Sequence, residues 1–453
     1  MFSAFVNSFK IPELRRRLLF AFGLMFICRI VASVPTPGVN PSALQLAIRN
    51  IESDVGGGFL PMLDLFSGGA LRNVAVGALG IMPYISASII LQLMTAVVPS
   101  LERMAREGDT GRQKLTQITR YLTIGICIVQ ALTMAMALEK PGAFGMPADP
   151  PLVDVPGWPF RLMTVLSMTT GAMLIMWLGE QITEYGIGNG ISLIITVNIV
   201  SGLPAAIFAL AGRFQQVGGV AHFDIFHLAG LVLMFLAVTA GTVALTQGQR
   251  RVPIHTTKRV VGRKVYGGQN TYMPLRVNYS GVMPIIFASA LLMFPVMLLR
   301  RIPHSWGWFF QRLAAAMGMG EPLYLIAYGL LILFFSYFWV ATQFNPVQIA
   351  DDLKRNGGYV PGIRPGRPTA DFLDRTMSRI TLAGAVFLTV IAIIPSVLAK
   401  VMEVPWQVAT FFGGTSLLII VGVALDTMRQ VESHLLMRHY DGFLRKGKLR
   451  SRR

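Results

Sequence analysis

Charge is scarce in this chain. Only 14% of its 453 residues are Asp, Glu, Lys or Arg, against roughly 25% in soluble domains. With 53% of residues hydrophobic, that scarcity argues against a water-soluble domain and for a membrane class. Cysteine is scarcer still. Cys28 and Cys127 both lie in apolar stretches, which supports neither a disulfide framework nor a metal site. There is no Walker-type glycine-rich loop, no H-E-x-x-H and no G-x-S-x-G, so an enzyme reading has little support and no cofactor is implied. The apolar stretches also lack mid-span histidine, and their carboxylates, Glu180, Glu184 and Asp426, fall near their ends. A coupled ion carrier commonly needs such groups as a relay, whereas a position near an interface points to a solvated structural role.

What the chain has in quantity is long apolar runs. Ten segments, at about 18–35, 76–99, 118–138, 161–182, 187–210, 225–247, 280–299, 323–344, 378–398 and 407–428, are long enough to cross a hydrocarbon core of roughly 30 Å. The net charge of +18 suggests a nucleic-acid-binding face until the charges are placed. With an even number of spans, 30 of the 40 Lys and Arg fall on the side of the termini, in 1–17, 100–120, 248–279, 345–379 and 429–453. Eight fall on the other side, and Arg29 and Arg72 lie in or beside apolar segments. Cytoplasmic loops carry the Lys/Arg excess, so both termini are expected in the cytoplasm. The basic-then-apolar start resembles a signal peptide. It is long for one, carries Arg29 and runs into VPTPG with no A-x-A site, so it is expected to be a retained first helix.

Two nearly identical hexapeptides break apolar segments: GIMPYI at 80–85 and GVMPII at 281–286. Each sits in the second span of a set of five, with the boundary near 205–224. Five is odd, so the second set starts on the opposite membrane face and the halves are related by inversion. Gly/Pro interruptions at matching places in two inverted halves point to a functional site between them. Coincidence is the alternative, because Gly and Pro are common in membrane helices. Around the breaks the residues are aliphatic: Ile81, Ile85 and Ile286. A ring of such side chains can gate by excluding water.

The segment LPMLDLFSGGALRNVAVGALG at 60–80 is half-apolar and carries Asp64 and Arg72. Its SGG is expected to interrupt helix. Irregular backbone at membrane depth is tolerated where it lines a cavity, so this segment either enters a cavity from the outer side or forms an interfacial re-entrant loop. The loop at 248–279 has seven basic residues and no acidic one. Its stretches RRVPIHTT and GRKVYGG read as a hairpin reaching into the cytosol. In the loop at 345–379, YVPGIRPGRPT fixes turns and holds Arg364 and Arg367 outward. Topology alone accounts for the charge of these loops, but their length and turn chemistry suit a large anionic partner.

Six stretches carry a resemblance to a known family: IPELRRRLLF, FSGGALRNVAVGALGIMPYISASIILQL, MWLGEQITEYGIGNGIS, RVNYSGVMPIIFAS, QFNPVQIADDLKRNGGYVPGIRPG and FFGGTSLLI. From about Pro12 to Gly447 the chain resembles the SecY family, the central channel subunit of bacterial protein translocation. The resemblance implies an all-α polytopic membrane protein of ten transmembrane helices in two inverted five-helix halves. The halves would be 1–205 and 206–453, closing as a clamshell around an hourglass pore. It implies a pore ring of Ile81, Ile85, Ile191, Ile195, Ile286 and Ile419. Ile191 and Ile195 are a helical turn apart, so both need not face the axis. The segment 60–75, with Phe66, Ser67, Gly68, Gly69, Ala70 and Leu71, would be a plug. Ser86, Ser88, Gln92, Thr95 and Phe294 would belong to a lateral gate opened by a signal peptide. Arg263, Lys264, Arg364 and Arg367 would dock the ribosome or the SecA motor. SecE and SecG would complete a heterotrimer in the bacterial plasma membrane. Tyr185 departs from the pattern, standing where a basic residue is common, and the tail after Leu444 is short and basic. Two other readings compete: an inverted-repeat carrier, which would need a paired ionisable site at the midplane, and a membrane receptor for ribosomes, which would need neither broken helices nor a plug.

Overall fold

A computed structural model describes residues 11–40, 43, 64, 66–139, 151–214, 225–256, 259–261, 264–266, 270–300, 308–318, 321–401 and 415–446. The chain divides into two compact units, Met1–Gly212 with Val423–Arg453, and Arg213–Gly422.

The first unit is helical. Its elements are α1 (Pro12–Ser33), α2 (Met82–Val97), α3 (Pro99–Arg106), α4 (Asp109–Glu139), α5 (Trp158–Tyr185), α6 (Gly190–Ser201) and α7 (Leu203–Phe214). Helix α1 starts where Pro12 takes the first helical position, a site that loses no hydrogen bond to proline. Its 22 residues span about 33 Å, enough to cross a membrane. Asn189 caps α6, its side chain accepting from the backbone N–H groups of Ile191 and Ser192 at 3.1 and 3.3 Å. Helix α1 packs on α5 and α6, α2 on α4, α4 on α5, and α5 on α6. Small residues let α4 approach closely. Ala131 and Ala135 are buried with Leu71, Val74, Ala78, Leu138, Phe160 and Met168 in one cluster.

The second unit contains α8 (Ile225–Gln247), β1 (Gln249–Thr256), β2 (Arg259–Val261), β3 (Lys264–Tyr266), β4 (Asn270–Arg276), α9 (Met283–Arg300), α10 (Trp308–Ala316), α11 (Pro322–Gln343), α12 (Pro346–Arg355), β5 (Gly358–Tyr359) and α13 (Arg367–Val401). Helix α14 (Thr415–Lys446) contains the unit boundary at Gly422 and Val423. Helix α8 packs on α13, α9 on α11, and α11 on α13. This repeats the order of the first unit, where α1 packs on α5, α2 on α4, and α4 on α5.

The repeat extends to single hydrogen bonds. Gly80 and Gly281, 201 positions apart, both take left-handed backbone, with φ of 55° and 64°. A β-carbon disfavours that region, so each break is written as glycine. Ahead of the first break, the Val76 N–H donates to the Val34 carbonyl, just past the end of α1, at 2.8 Å. Ahead of the second, the Val277 N–H donates to the Gly248 carbonyl, just past the end of α8, at 2.9 Å. After each break, Ile85 and Ile286 donate back to Ile81 and Val282 at 3.1 and 3.3 Å.

Each of the ten apolar segments read from the sequence contains helix among its described residues. Among the described residues, six helices are long and apolar enough to cross a membrane, or seven if the pair Met82–Thr95 and Pro99–Ala105, bent by 105°, counts as one. The second segment departs from expectation at its start. Helix begins at Met82, not at about 76, because residues 68–81 run as turns, with a bridge at Ala75, into Gly80 and the N-terminal Pro83.

The basic hairpin forms with different partners from those expected. RRVPIHT pairs not with GRKVYGG but with NTYMPLR, in antiparallel register from Gln249↔Arg276 to His255↔Asn270. GRKVYGG contributes β3, which pairs with β2 in a separate two-stranded sheet. Alternation decides this: Val252 and Ile254 point inward with Leu275, while Arg250, Arg251 and Arg276 are exposed. Strand β5 joins the other edge of β1 at His255 and Thr256 alone. Pro253 therefore lies where β1 is still an edge and needs no donor.

Candidate functional site

The segment after Asp64 is braced within itself. Arg72 Nε lies 2.7 Å from Asp64 Oδ2, and the Arg72 N–H donates to Asp64 Oδ1 at 3.1 Å. Ser67 Oγ donates to the Asp64 carbonyl at 3.1 Å and accepts from the Leu71 N–H at 3.2 Å. The Gly69 N–H also donates to the Asp64 carbonyl, at 3.1 Å. Phe66, Ser67, Ala70 and Leu71 are buried. Val74 holds a φ of 39°, rare for a β-branched residue.

Two helices then grip this segment by its backbone. Arg29 on α1 donates from Nη1 to the Gly68 carbonyl at 2.8 Å. Asn198 on α6 donates from Nδ2 to the Phe66 carbonyl at 2.9 Å. Arg29 Nη1 also lies 3.4 Å from Asn198 Oδ1, so the two side chains brace one another. Gly68 fits this grip for two reasons. Its φ is 68°, and an added Cβ would clash with Arg29 Nη1 and come within 2.8 Å of Asn198 Oδ1. Sequence reading named Gly68 but not Asn198, and placed Arg29 only as a cation in an apolar run. The available signal was that cation, since an arginine in a span needs a polar partner, and Asn198 is the one amide in ISLIITVNIV.

Helix α2 carries the next set. Ile81, at its N-cap, and Ile85 are buried. Ile85, Ser88, Gln92 and Thr95 follow at helical spacing on one stripe, the last three half-buried. Ser86 points some 160° away from Ser88. Thr95 Oγ1 donates to its own helix, to the Gln92 carbonyl at 2.7 Å. On α6, Ile195 is buried and Ile191 half-buried; the Ile191 side chain lies 3.4 Å from where a Cβ on Gly179 of α5 would sit. In the second unit, Ile286 on α9 and Ile419 on α14 are buried. Phe294 lies in α9, with its side chain outside the described residues.

The basic ribbon of the second unit is anchored from below. Val252 and Leu275 are buried with Val340 and Phe344 at the end of α11, Val360, and Leu373 and Met377 of α13. Arg250, Arg251 and Arg276 face outward, as do Arg364 and Arg367 in the adjoining turn. That turn is fixed by Thr369 Oγ1, which donates to the Arg364 carbonyl at 2.8 Å. His255 and Tyr359 stack with ring centroids 6.0 Å apart. Lys264 lies in β3 with its side chain outside the described residues, as is all of Arg263.

These features define a polytopic helical membrane protein with a braced segment ahead of a broken helix and a rigid basic platform. Comparison with known proteins gives that class a family. The SecY family model matches residues 75–428. Protein translocase subunit SecY of Chlamydia trachomatis is 44% identical over 453 residues, covering 98% of each chain. That of Mycobacterium tuberculosis is 42% identical, covering 98% of this chain and all of its own. The chain belongs to the SecY family. Its fold matches a solved protein-conducting channel at TM-score 0.62 and 18% identity, over 94% of this chain and 96% of the other. It matches Sec61 from a canine ribosome-channel complex at 0.58 and 17%, with the same coverage.

Proposed function

We propose that this chain is the pore-forming subunit of a protein translocase, passing unfolded preproteins across the plasma membrane and releasing apolar segments sideways into it. The observation that carries this reading is near-full-length similarity to translocase subunits, in a chain whose irregular segment 66–81 is tied into the first unit ahead of a glycine-proline break. Residues 60–75 act as the plug, with Phe66, Ser67, Gly68, Gly69, Ala70 and Leu71 at its centre; residues 60–63 and 65 lie outside the described residues. Ile81, Ile85, Ile191, Ile195, Ile286 and Ile419 form the pore ring. Aliphatic side chains offer a passing polypeptide contact without hydrogen bonds, so they need not read its sequence. They give ions nothing to replace their hydration shells.

Ser86, Ser88, Gln92, Thr95 and Phe294 belong to the lateral gate. A signal peptide's apolar core leaves water there, and each buried CH₂ contributes about 0.8 kcal/mol, enough over several residues to bias a two-state gate. Arg263, Lys264, Arg364 and Arg367 dock a ribosome or the SecA motor, SecE and SecG complete the complex, and both termini face the cytoplasm. A solved relative sits in a ribosome-channel complex, which supports the docking reading. The relatives leave a small-solute carrier without support.

Photocrosslinking tests the assignment. A photoreactive residue replaces Ile81, Ile286 or Ile419 in membranes holding a preprotein stalled midway. Crosslinks from all three to the stalled chain are expected. Their absence at every site, with stalling and expression verified, overturns the pore reading.

A further inference from the structure

We infer that Arg29 and Asn198 form a side-chain latch on the plug, and that its strength sets how good a signal sequence must be to open the channel. The inference rests on the channel reading above and adds two positioning residues to it. Both latch bonds end on backbone carbonyls, of Gly68 and Phe66. They therefore hold the segment whatever its side chains, and they break without unravelling any helix. The Asp64–Arg72 pair and Ser67 brace the segment internally, and Ala70 and Leu71 also pack on neighbouring helices, so losing the two carbonyl bonds weakens the hold on the segment without dismantling it.

The surroundings make these bonds count. Asn198 is 4% exposed and Arg29 is half-buried among apolar residues of α1. Hydrogen bonds strengthen where water is excluded, and a charged group in a membrane helix must find partners. Here the cation's partners are the plug and Asn198, so the closed state satisfies it. Ser201 Oγ also lies 3.4 Å from the Gly68 carbonyl. Its one proton goes instead to the Asn198 carbonyl at 2.6 Å, so Ser201 is not part of the latch.

The test uses membrane vesicles carrying the complete translocase, with three readouts: anion leak without substrate, export of a reporter whose signal has a shortened apolar core, and export of the same reporter with an intact signal. Asn198→Ala is expected to raise the resting leak about tenfold, the equilibrium effect of losing one such hydrogen bond. It should also export the defective-signal reporter while still exporting the intact one. Gly68→Ala, which pushes Arg29 and Asn198 away, should do the same, and Ser201→Ala should match the unaltered chain. Arg29→Met combined with Asn198→Ala should leak less than the product of the two single effects, because the side chains share one network. If Arg29→Met fails to insert, Arg29→Lys keeps a donor but loses the bridge to Asn198, and should give an intermediate leak. A resting leak and signal discrimination unchanged in Asn198→Ala, Gly68→Ala and Arg29→Lys would overturn the latch. Failure of the unaltered chain to export any reporter would instead overturn the channel reading.

Discussion

Gly171 on α5 seats directly against the backbone carbonyl of Val76, at the point where the chain turns toward the first break. Gly384 on α13 seats in the same way against the carbonyl of Val277, ahead of the second break. Each glycine lets a helix touch the irregular chain that sets up a broken span.

Alanine at either position is therefore expected to be costly. Its Cβ would overlap backbone, which cannot swing away as a side-chain tip can. A destabilisation of about 1–3 kcal/mol is expected for Gly171→Ala and for Gly384→Ala. Gly125 on α4 has nothing within 4 Å of its Cβ position, so Gly125→Ala should be neutral or slightly stabilising. Thermal unfolding in detergent separates these outcomes, and a Gly171→Ala midpoint equal to that of Gly125→Ala would refute the steric account.

Two arginine–carboxylate pairs of similar length should differ in worth. Arg161 reaches Glu139 at 2.6 Å, and Glu139 also accepts from the Gly157 N–H at 2.9 Å. Arg120 reaches Glu180 at 2.7 Å. Glu139 and Arg161 are 4% and 26% exposed, against 18% and 46% for Glu180 and Arg120. Solvent screens the second pair, so Glu180→Gln should cost at most about 1 kcal/mol. Glu139→Gln weakens a buried carboxylate that ties the chain entering α5 to the end of α4, and should lower the unfolding midpoint more. Equal shifts would mean that burial does not set their difference.

The ribbon separates folding from docking. Arg251→Glu should leave stability unchanged while weakening attachment to an anionic partner such as ribosomal RNA. The loss should shrink as salt rises, with about one unit removed from the log–log salt slope per phosphate contact. Val252→Asp puts a charge into the cluster under the ribbon and should abolish docking by undoing the platform itself. Sedimentation with ribosomes across a salt series, alongside limited proteolysis of the ribbon, reads both effects. A salt-independent loss in Arg251→Glu would remove the electrostatic account.

The ring prediction concerns polarity. Under the proposed ring assignment, Ile286→Asn keeps roughly the same size but offers hydrogen bonds to water where an apolar ring would gate by dewetting. Its resting ion leak should exceed that of Ile286→Val, which keeps the site apolar. Equal leaks would argue against a hydrophobic gasket.

How much of this was legible in the sequence varies with range. The breaks were legible because GIMPYI and GVMPII carry their cause within six residues: a glycine that can turn left-handed and a proline that starts the next helix. The start of α2 was misplaced because Val76 to Leu79 are as apolar as a helix, and what holds them out of one is the hydrogen bonds to Val31 and Val34, local turn bonds and the left-handed Gly80. The hairpin was legible from alternation, but its register was not. Both GRKVYGG and NTYMPLR can pair, and the choice falls to which strand buries Leu275 beside Val252. Asn198 was invisible in the same sense, since its partner Arg29 lies 169 positions away.

The cluster beneath the ribbon joins β1 and β4 to the ends of α11 and α13 through close-packed side chains. Such packing is stiff, and it leaves no soft spacer between the platform and these spans. A load on the ribbon would therefore be passed to the two helix ends rather than absorbed by a flexible linker. A large body docked there, as proposed, would use the platform as a lever arm on the spans that hold it.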